Sequence, residues 1–279
     1  MVQTQTTLAQ NQSYILGHAD PELDRLISQA HFFGDLTTHV LQLAGLKPGM
    51  RVLDIGCGAG DVSFLAASLV GSKGTVIGVD KSPEAIALAA QRANSARLTN
   101  MQFLNVDILE LVLEEPVDAL IGRLVLMYFP DPAAMLRRLV NFVKPGGIVA
   151  FQEMDMDASK SEPICELFET SLGRIKQTFS RAGVDIHTSL KLARIFQDAG
   201  LPAPQMIQGA RVESGPDSPA YEQVTGIIRT LLPLMERTGV ATAEEVDIET
   251  LAARLREEAL ARNATLVSPA MIGAWTQKI

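Results

Sequence analysis

The sequence from Val52 to Asp61 most constrains the fold of this chain. It is Val-Leu-Asp-Ile-Gly-Cys-Gly-Ala-Gly-Asp, an apolar run followed by three glycines at alternate positions. The apolar run predicts a short buried strand, and the glycines permit a tight turn and a close approach of the backbone to a ligand. An apolar segment, Phe64 to Val70, follows and predicts a helix. A strand, a glycine-rich turn and a helix in this order predict a nucleotide-type site at the carboxyl edge of a parallel sheet.

Acidic residues beside the glycines narrow the kind of nucleotide. A dinucleotide fingerprint has glycine at its first, third and sixth positions. Counted from Gly56, the third residue is Gly58, but the sixth is Asp61. Asp54 adds a second acid at the end of the strand. Two carboxylates beside the turn would repel a pyrophosphate and favour a ligand that presents an ammonium or sulfonium group.

This segment resembles the first motif of the class I S-adenosylmethionine (SAM)-dependent methyltransferases, Asp-x-Gly-x-Gly-x-Gly. Four residues match it position by position: Asp54, Gly56, Gly58 and Gly60. The resemblance covers roughly residues 40 to 155. It implies SAM as the cofactor, held in part by this turn with Cys57 in it, and a small-molecule methyl acceptor such as those of natural product biosynthesis.

Composition limits the partners and the compartment. The net charge is −8 and the pI is near 5.1, with no basic run, which argues against a nucleic-acid partner. Two cysteines, Cys57 and Cys165, are too few for a disulfide framework and favour a reducing cytoplasm. The first fifteen residues lack the features of a signal peptide. The longest apolar stretch, Val117 to Phe129, contains Arg123 and is too short to span a bilayer. We therefore expect a cytoplasmic protein without a membrane partner, and a homodimer stays open.

Strand and helix patterns alternate five times along the first half of the chain. The predicted strands are Arg51–Ile55, Thr75–Asp80, Met101–Val106, Val117–Gly122 and Ile148–Glu153. Continuous Val, Ile and Leu runs fit a sheet covered on both faces, so the pattern predicts an α/β fold with a doubly wound parallel sheet.

After residue 155 the pattern becomes mainly helical. Helices are predicted near 163–182, 189–199, 218–237 and 244–261, and strands near 205–213 and 265–278. The resemblance implies a Rossmann-like seven-stranded sheet whose last strand is antiparallel, with helical cap elements. We expect an N-terminal helical lid (1–45), a SAM-binding core (46–155) and a segment of cap helices and final strands (156–279).

Acids after the second and third strands are candidate cofactor ligands. Asp80 ends strand two, where an acid can accept hydrogen bonds from both ribose hydroxyls; the alternative is an acid that starts a turn. Lys81, which follows it, is taken as part of the same site. The resemblance implies that Asp107 accepts a hydrogen bond from the adenine amino group and that Ile108 packs on the adenine ring. Asp107 could also cap a helix near residues 108–112, and both roles can hold at once.

Arg123 is a cation inside an apolar segment. A buried cation without a partner is costly. We expect Arg123 to face the cleft beyond strand four and to pair there with the carboxylate of SAM or with a substrate acid. The alternative is a structural salt bridge to Asp54 or Asp61.

The N-terminal segment resembles the lead-in of bacterial small-molecule methyltransferases, where this region closes over the cofactor. The resemblance makes Tyr14 and Gln29 candidates for contact with SAM or substrate. An amphipathic helix packed on the sheet explains Gln29 equally well.

Three acids lie two residues apart after strand five. Glu153, Asp155 and Asp157 would point the same way if that segment stays extended. Glu153, the nearest to the sheet, is a candidate catalytic residue. We expect no metal, because related metal-dependent enzymes need an acid after strand four, where this chain has Gly122 and Arg123.

His187 is the second candidate catalytic residue. It precedes a predicted helix that we expect beside the substrate, and an imidazole could take a proton from a nucleophile near neutral pH. Helix capping or a surface position explains it as well.

The sequence thus predicts a SAM-dependent methyltransferase that acts on a nitrogen, oxygen or carbon of a small, largely apolar molecule. A quinone-type C-methyltransferase is an alternative within the same class. A SAM-binding protein of this fold that does not transfer methyl is another. A nicotinamide oxidoreductase is a third, which Asp54 and Asp61 count against.

Overall fold

A computed structural model describes the backbone of residues 20–279 and the side chains of residues 32–279. The strands are β1 (Arg51–Ile55), β2 (Thr75–Asp80), β3 (Met101–Asn105), β4 (Val117–Arg123), β5 (Val143–Asp155), β6 (Lys160–Glu162), β7 (Gln205–Gly209), β8 (Val212–Glu213), β9 (Thr265–Val267) and β10 (Ala270–Gln277). The α-helices are α1 (Asp20–Ala44), α2 (Asp61–Val70), α3 (Pro83–Ser95), α4 (Pro132–Leu139), α5 (Glu166–Arg181), α6 (Thr188–Asp198), α7 (Ala220–Arg237), α8 (Ala243–Val246) and α9 (Ile248–Arg262).

Seven strands form the main sheet in the order β3-β2-β1-β4-β5-β10-β7. The first five are parallel to one another, and β10 lies antiparallel between β5 and β7. The predicted Rossmann-like α/β fold with an antiparallel last strand is confirmed. None of the helices within residues 20–279 combines the length and apolar character needed to cross a membrane.

Helices cover both faces of this sheet. Helices α1 and α2 pack on one face around Val52, Ile121 and Ala150. Helices α4 and α6 pack on the other face around Leu53 and Phe151. The central strands β1, β2 and β4 are therefore buried on both sides, which is why they carry continuous apolar runs rather than alternating ones.

A second apolar cluster joins α5, α7 and α9 to a small sheet of order β6-β9-β8. Its buried residues include Phe168, Leu172, Val224, Ile228 and Leu255. These helices follow β5, whose carboxyl end reaches them through Met156. The small sheet was not predicted.

Several predicted boundaries were wrong. Strand β5 extends well beyond residues 148–153, because Gly146 and Gly147 exchange backbone hydrogen bonds with Lys278 at the chain end. The predicted final strand is split at Ser268-Pro269, where proline cannot donate to a ladder. The expected helix at residues 108–112 is a turn instead.

Candidate active site

The glycine turn joins β1 to α2 at the carboxyl edge of the sheet. Gly56 has φ +64°, and a Cβ there would lie 2.7 Å from Val125 Cγ2. A side chain would therefore be both strained and crowded. Cys57 is buried in the turn, and its N–H donates to Val79 O at 3.0 Å. The turn is thus held against both neighbouring strands.

Asp80 connects this turn to the start of α3. Its Oδ2 accepts from Gly58 N at 3.0 Å, and its Oδ1 accepts from Ser82 N at 2.9 Å. A carboxylate oxygen has two lone pairs, so each oxygen retains capacity for one more donor. Asp80 therefore organises the loop between the glycine turn and α3, and its ribose role, which is compatible with these bonds, stays a prediction.

Asp54 is buried at the end of β1. Ser63 Oγ donates to its Oδ2 at 2.6 Å. Burial raises the pKa of the Asp54 carboxyl from its ordinary 3.8 to about 7, although the Ser63 hydrogen bond and the Arg123 charge lower it. A cation beside this group would favour its ionised form.

Asp61 differs from Asp54 in having a protein cation beside it. Arg92 Nη1 lies 2.7 Å from Asp61 Oδ1 and donates to Ala59 O at 2.5 Å. Arg92 also lies over the Phe64 ring, 4.9 Å from its centroid. Asp61 therefore holds the turn to α3 rather than offering an unpaired charge to a ligand. The predicted repulsion of a pyrophosphate beside the turn therefore depends on Asp54.

Lys81, Asp107 and Ile108 lie near the ends of β2 and β3. Lys81 and Asp107 are exposed, and Ile108 is half-buried against the core. Asp107 Oδ1 accepts from Leu109 N at 2.8 Å, so the acid organises its own turn. The adenine role of Asp107 stays a prediction.

A polar cluster lies between α1 and the ends of β4 and β5. Arg123 Nη1 donates to Thr37 Oγ1 at 3.0 Å, and Thr37 Oγ1 lies 2.8 Å from Gln152 Oε1. Gln152 is 3% exposed, and its Nε2 has no hydrogen-bond partner among residues 32–279. A buried amide N–H₂ without an acceptor indicates a site for an additional oxygen.

This cluster shares one sheet face with Asp54. Arg123 pairs with Gln152 in register, and Ile121, two residues earlier, pairs with both Asp54 and Ala150. Because side chains alternate across a strand, Asp54, Arg123 and Gln152 all project toward the α1 and α2 side. A carboxylate, a guanidinium and an unpaired amide therefore line the same side of the sheet edge beside the glycine turn.

An apolar cavity continues from the cluster along the same elements. Its enclosed volume is small, about 20 Å³, and one side is open to solvent. Its lining consists of Phe32, Phe33, Met154, Met156, Phe168, Leu172, Ile175, Ala220, Gln223, Val224, Ile227, Ser268 and Pro269. Phe33 precedes Thr37 by one helical turn, and Met154 follows Gln152 on the same strand face. The cavity is therefore adjacent to the polar cluster.

Glu153 is fully buried beside this edge. Its Oε1 accepts from Val125 N at 3.0 Å and from Leu126 N at 2.7 Å. Burial raises the pKa of Glu153 from its ordinary 4.5 to about 7, although the neighbouring backbone N–H groups lower it. Val125 is the residue that packs against Gly56. The geometry supports a positioning role for Glu153, and its catalytic role stays a prediction.

The expected row of three acids is interrupted. Strand β5 ends at Asp155, which accepts from Asp157 N at 3.0 Å and starts a 3₁₀ turn. Asp157 is consequently turned aside and lies 3.6 Å from His187 Nδ1 and 3.2 Å from Lys176 Nζ. His187 is half exposed and does not belong to the described lining of the cavity. Its role as a base stays a prediction.

Two predicted residues cannot be placed. Tyr14 lies outside the described residues, and Gln29 lies in α1 before the described side chains begin. Sequence reasoning, in turn, missed Ser63, Thr37 and Gln152. Ser63 lies close to the motif in sequence, but nothing local in the sequence connects Thr37 with Gln152, because 115 residues separate them.

A family model described as a methyltransferase domain matches residues 46–200. The chain is 40% identical over 110 residues to the 2-phytyl-1,4-naphtoquinone methyltransferase of Synechococcus elongatus, across 39% of this chain and 47% of that protein. It is 30% identical over 154 residues to the ubiquinone biosynthesis O-methyltransferase of Albidiferax ferrireducens, across 50% and 60%. The chain thus spans about half the length of the curated relatives it matches.

Among solved structures, BH2331 from Bacillus halodurans C-125 shares the fold with a TM-score of 0.55 and 15% identity, over 87% of this chain and 98% of that one. The family model covers more than half of the chain. The chain belongs to the class I SAM-dependent methyltransferases.

Proposed function

We propose that this protein transfers a methyl group from SAM to a nitrogen, oxygen or carbon atom of a small, largely apolar metabolite. The observation that carries this proposal is the continuity between the polar cluster of Thr37, Arg123 and Gln152 and the apolar cavity. A cofactor that is polar at one end and reactive at its sulfur fits a polar edge that leads into an apolar space.

The nucleoside would be held by the acids after β2 and β3. In this proposal, Asp80 accepts from the ribose hydroxyls, with Lys81 beside it, and Asp107 accepts from the adenine amino group while Ile108 packs on the ring. The lone pairs that Asp80 retains after binding Gly58 N and Ser82 N support its assignment.

The amino-acid end of the cofactor would lie over the polar cluster. Asp54 would hold the ammonium group, and Arg123 with Gln152 Nε2 would hold the carboxylate. Two observations support this: Gln152 Nε2 lacks a partner among the described residues, and the Arg123 charge acts on Asp54. Tyr14 and Gln29 stay predictions for the covering side.

SAM, when bound, supplies an activated methyl group on a sulfonium. The chain then has to hold the nucleophile in line, at roughly 3 Å from the methyl carbon, and to exclude water. The apolar lining of the cavity, from Phe33 to Phe168 and Leu172, suits both tasks. Glu153 would contribute by fixing the backbone at Val125 and Leu126. A general base, for which His187 is the candidate, is required only if the nucleophile carries a proton of high pKa.

Quinone-type C-methylation is the second candidate. A relative that is 40% identical over 110 residues is named for a naphthoquinone substrate. An aromatic and methionine-rich cavity suits a flat apolar ring.

Two measurements test the proposal. Thermal shift should show stabilisation by SAM and none by NADH, and stabilisation by NADH alone would contradict the assignment of the cofactor. Incubation of the protein with cell extract and SAM labelled in its methyl group should then yield a labelled small molecule together with S-adenosylhomocysteine. SAM binding without production of S-adenosylhomocysteine, across extracts and a panel of small quinones, phenols and amines, would favour a non-methylating protein of the same fold.

A further inference from the structure

Gln223 is the exceptional residue in the apolar cavity. It lies in the first turns of α7 and is 6% exposed. Its Nε2 has no hydrogen-bond partner among the described side chains and backbone. Its neighbours in the lining are mainly aromatic, aliphatic and methionine side chains.

The other polar residue of the lining, Ser268, has its hydrogen bonds satisfied. Ser268 Oγ accepts from Arg211 N at 3.0 Å and donates to Pro269 O at 3.2 Å. Ser268 thus serves the turn between β9 and β10. Gln223 has no such structural use for its amide nitrogen.

An unpaired amide in apolar surroundings is costly to the folded protein. A leucine or methionine would fill the same place without that cost. A ligand that brings an acceptor into the cavity would satisfy this amide and recover the cost. Such a site also discriminates against analogues that lack the matching acceptor, because they leave the buried donor unpaired.

We infer that Gln223 is a specificity-determining residue whose Nε2 donates a hydrogen bond to a carbonyl oxygen of an otherwise apolar methyl acceptor. This inference rests on the proposed function, since it takes the cavity as the acceptor site. It names the substrate class more narrowly: an apolar molecule with a carbonyl group. The amide of Gln223 orients that molecule and takes no part in the transfer of the methyl group.

A pair of probes isolates the carbonyl. 1-Acetylnaphthalene and 1-ethylnaphthalene have nearly the same shape and differ in one carbonyl oxygen. Binding of each to the full chain is measured by equilibrium dialysis. The wild-type protein should bind the acetyl compound about tenfold more tightly, the value of one neutral hydrogen bond made in an apolar site.

Three variants assign the preference to one residue. Gln223→Met keeps the length and removes the donor, and it should lose the preference by weakening only the acetyl compound. Gln223→Leu should lose the preference as well, because it also lacks a donor. Thr225→Val is the matched control: Thr225 lies on the same helix, is buried and has an unpaired Oγ among the described residues, but does not line the cavity. It should keep the full preference.

The outcomes separate the two proposals. Equal binding of the two probes by wild type, an undiminished preference in Gln223→Met, or no binding of either probe would overturn the inference about Gln223. SAM binding is measured on the same preparations. Failure of the wild-type protein to bind SAM would contradict the proposed function. If the wild-type protein binds SAM but binds the two probes equally, only the role of Gln223 is contradicted. Gln223→Met should also unfold at a temperature no lower than wild type, which shows that the variant is folded.

Discussion

The glycine-turn side and the cavity side of this edge are assembled in opposite ways. On the glycine-turn side, Asp54 and Ser63 lie within ten residues of sequence, with Gly56 between them, and they hydrogen-bond to each other. On the cavity side, α1, β5, α5 and α7 contribute residues that are far apart in sequence. The glycine turn is therefore largely a property of one short motif, whereas the cavity and the polar cluster of Thr37, Arg123 and Gln152 are properties of the tertiary fold. Substitutions should separate the two sides.

Glu153, which lies between the two sides, should show the largest effect. The folded state holds its proton up to about pH 7, and the unfolded state releases it near 4.5. The contribution of Glu153 to the free energy of unfolding is therefore greatest below pH 4.5 and falls as pH rises to 7, by on the order of 3 kcal/mol. Glu153→Gln does not titrate and should lack this fall. Urea unfolding of both proteins from pH 4.5 to 7.5 measures the difference.

Glu249→Gln is the control for that measurement, because Glu249 is exposed in α9, where it pairs with Arg229. It should retain the wild-type slope. A Glu153→Gln protein with the wild-type slope would show that Glu153 is ionised in the folded state.

Asp80→Ala tests the glycine-turn side. It removes both ribose acceptors and the hydrogen bonds to Gly58 N and Ser82 N. SAM affinity, measured by calorimetry, should fall roughly a hundredfold, as expected for lost charge-assisted hydrogen bonds. Binding of 1-acetylnaphthalene should stay within twofold of wild type. Unchanged SAM affinity would remove the ribose assignment, and equal losses of both ligands would show that the two sides are not separable.

Gly56→Ala and Gly173→Ala compare a glycine of the turn with a glycine in helix α5. The first places a Cβ 2.7 Å from Val125 Cγ2 at positive φ, and about 2 kcal/mol of stability should be lost along with SAM binding. The second adds a Cβ with nothing within 4 Å in α5 and should stabilise by about 1 kcal/mol. Chemical unfolding reads both. A Gly56→Ala protein of wild-type stability would indicate that the turn relaxes without cost.

Asp54 gives the smallest predicted effect, a pH dependence of SAM affinity. With a pKa of about 7 in the free protein, Asp54 must lose its proton before it can hold an ammonium group. Affinity should therefore fall roughly fivefold from pH 7 to pH 6, while the α-amino group of SAM stays protonated over this range. Asp54→Asn should bind weakly and without this dependence. Asp118→Asn, at the opposite end of the sheet beside Lys144, should behave as wild type; a flat wild-type profile would argue against contact between Asp54 and the ammonium.

What the sequence could reveal follows the same division. The turn between β1 and α2, and the acids after β1 and β2, were predictable because buried strands and glycine turns leave short-range patterns. Arg92 was not connected with Asp61, although their pairing neutralises one of the two acids beside the turn. The link from Thr37 to Gln152, and the place of Gln223 in the cavity, depend on how α1 and α7 pack against β5. No local pattern encodes that packing, so the polar cluster and the cavity become visible only in the folded chain.

In the proposed complex, one continuous edge holds SAM over the glycine turn and directs its sulfur toward the cavity. A crystal structure of the full chain with S-adenosylhomocysteine would test this arrangement. We expect the ribose at Asp80, the carboxylate at Arg123 and Gln152 Nε2, and the sulfur facing the gap between Phe33 and Met154. A nucleoside bound elsewhere, or a sulfur that faces away from that gap, would contradict it.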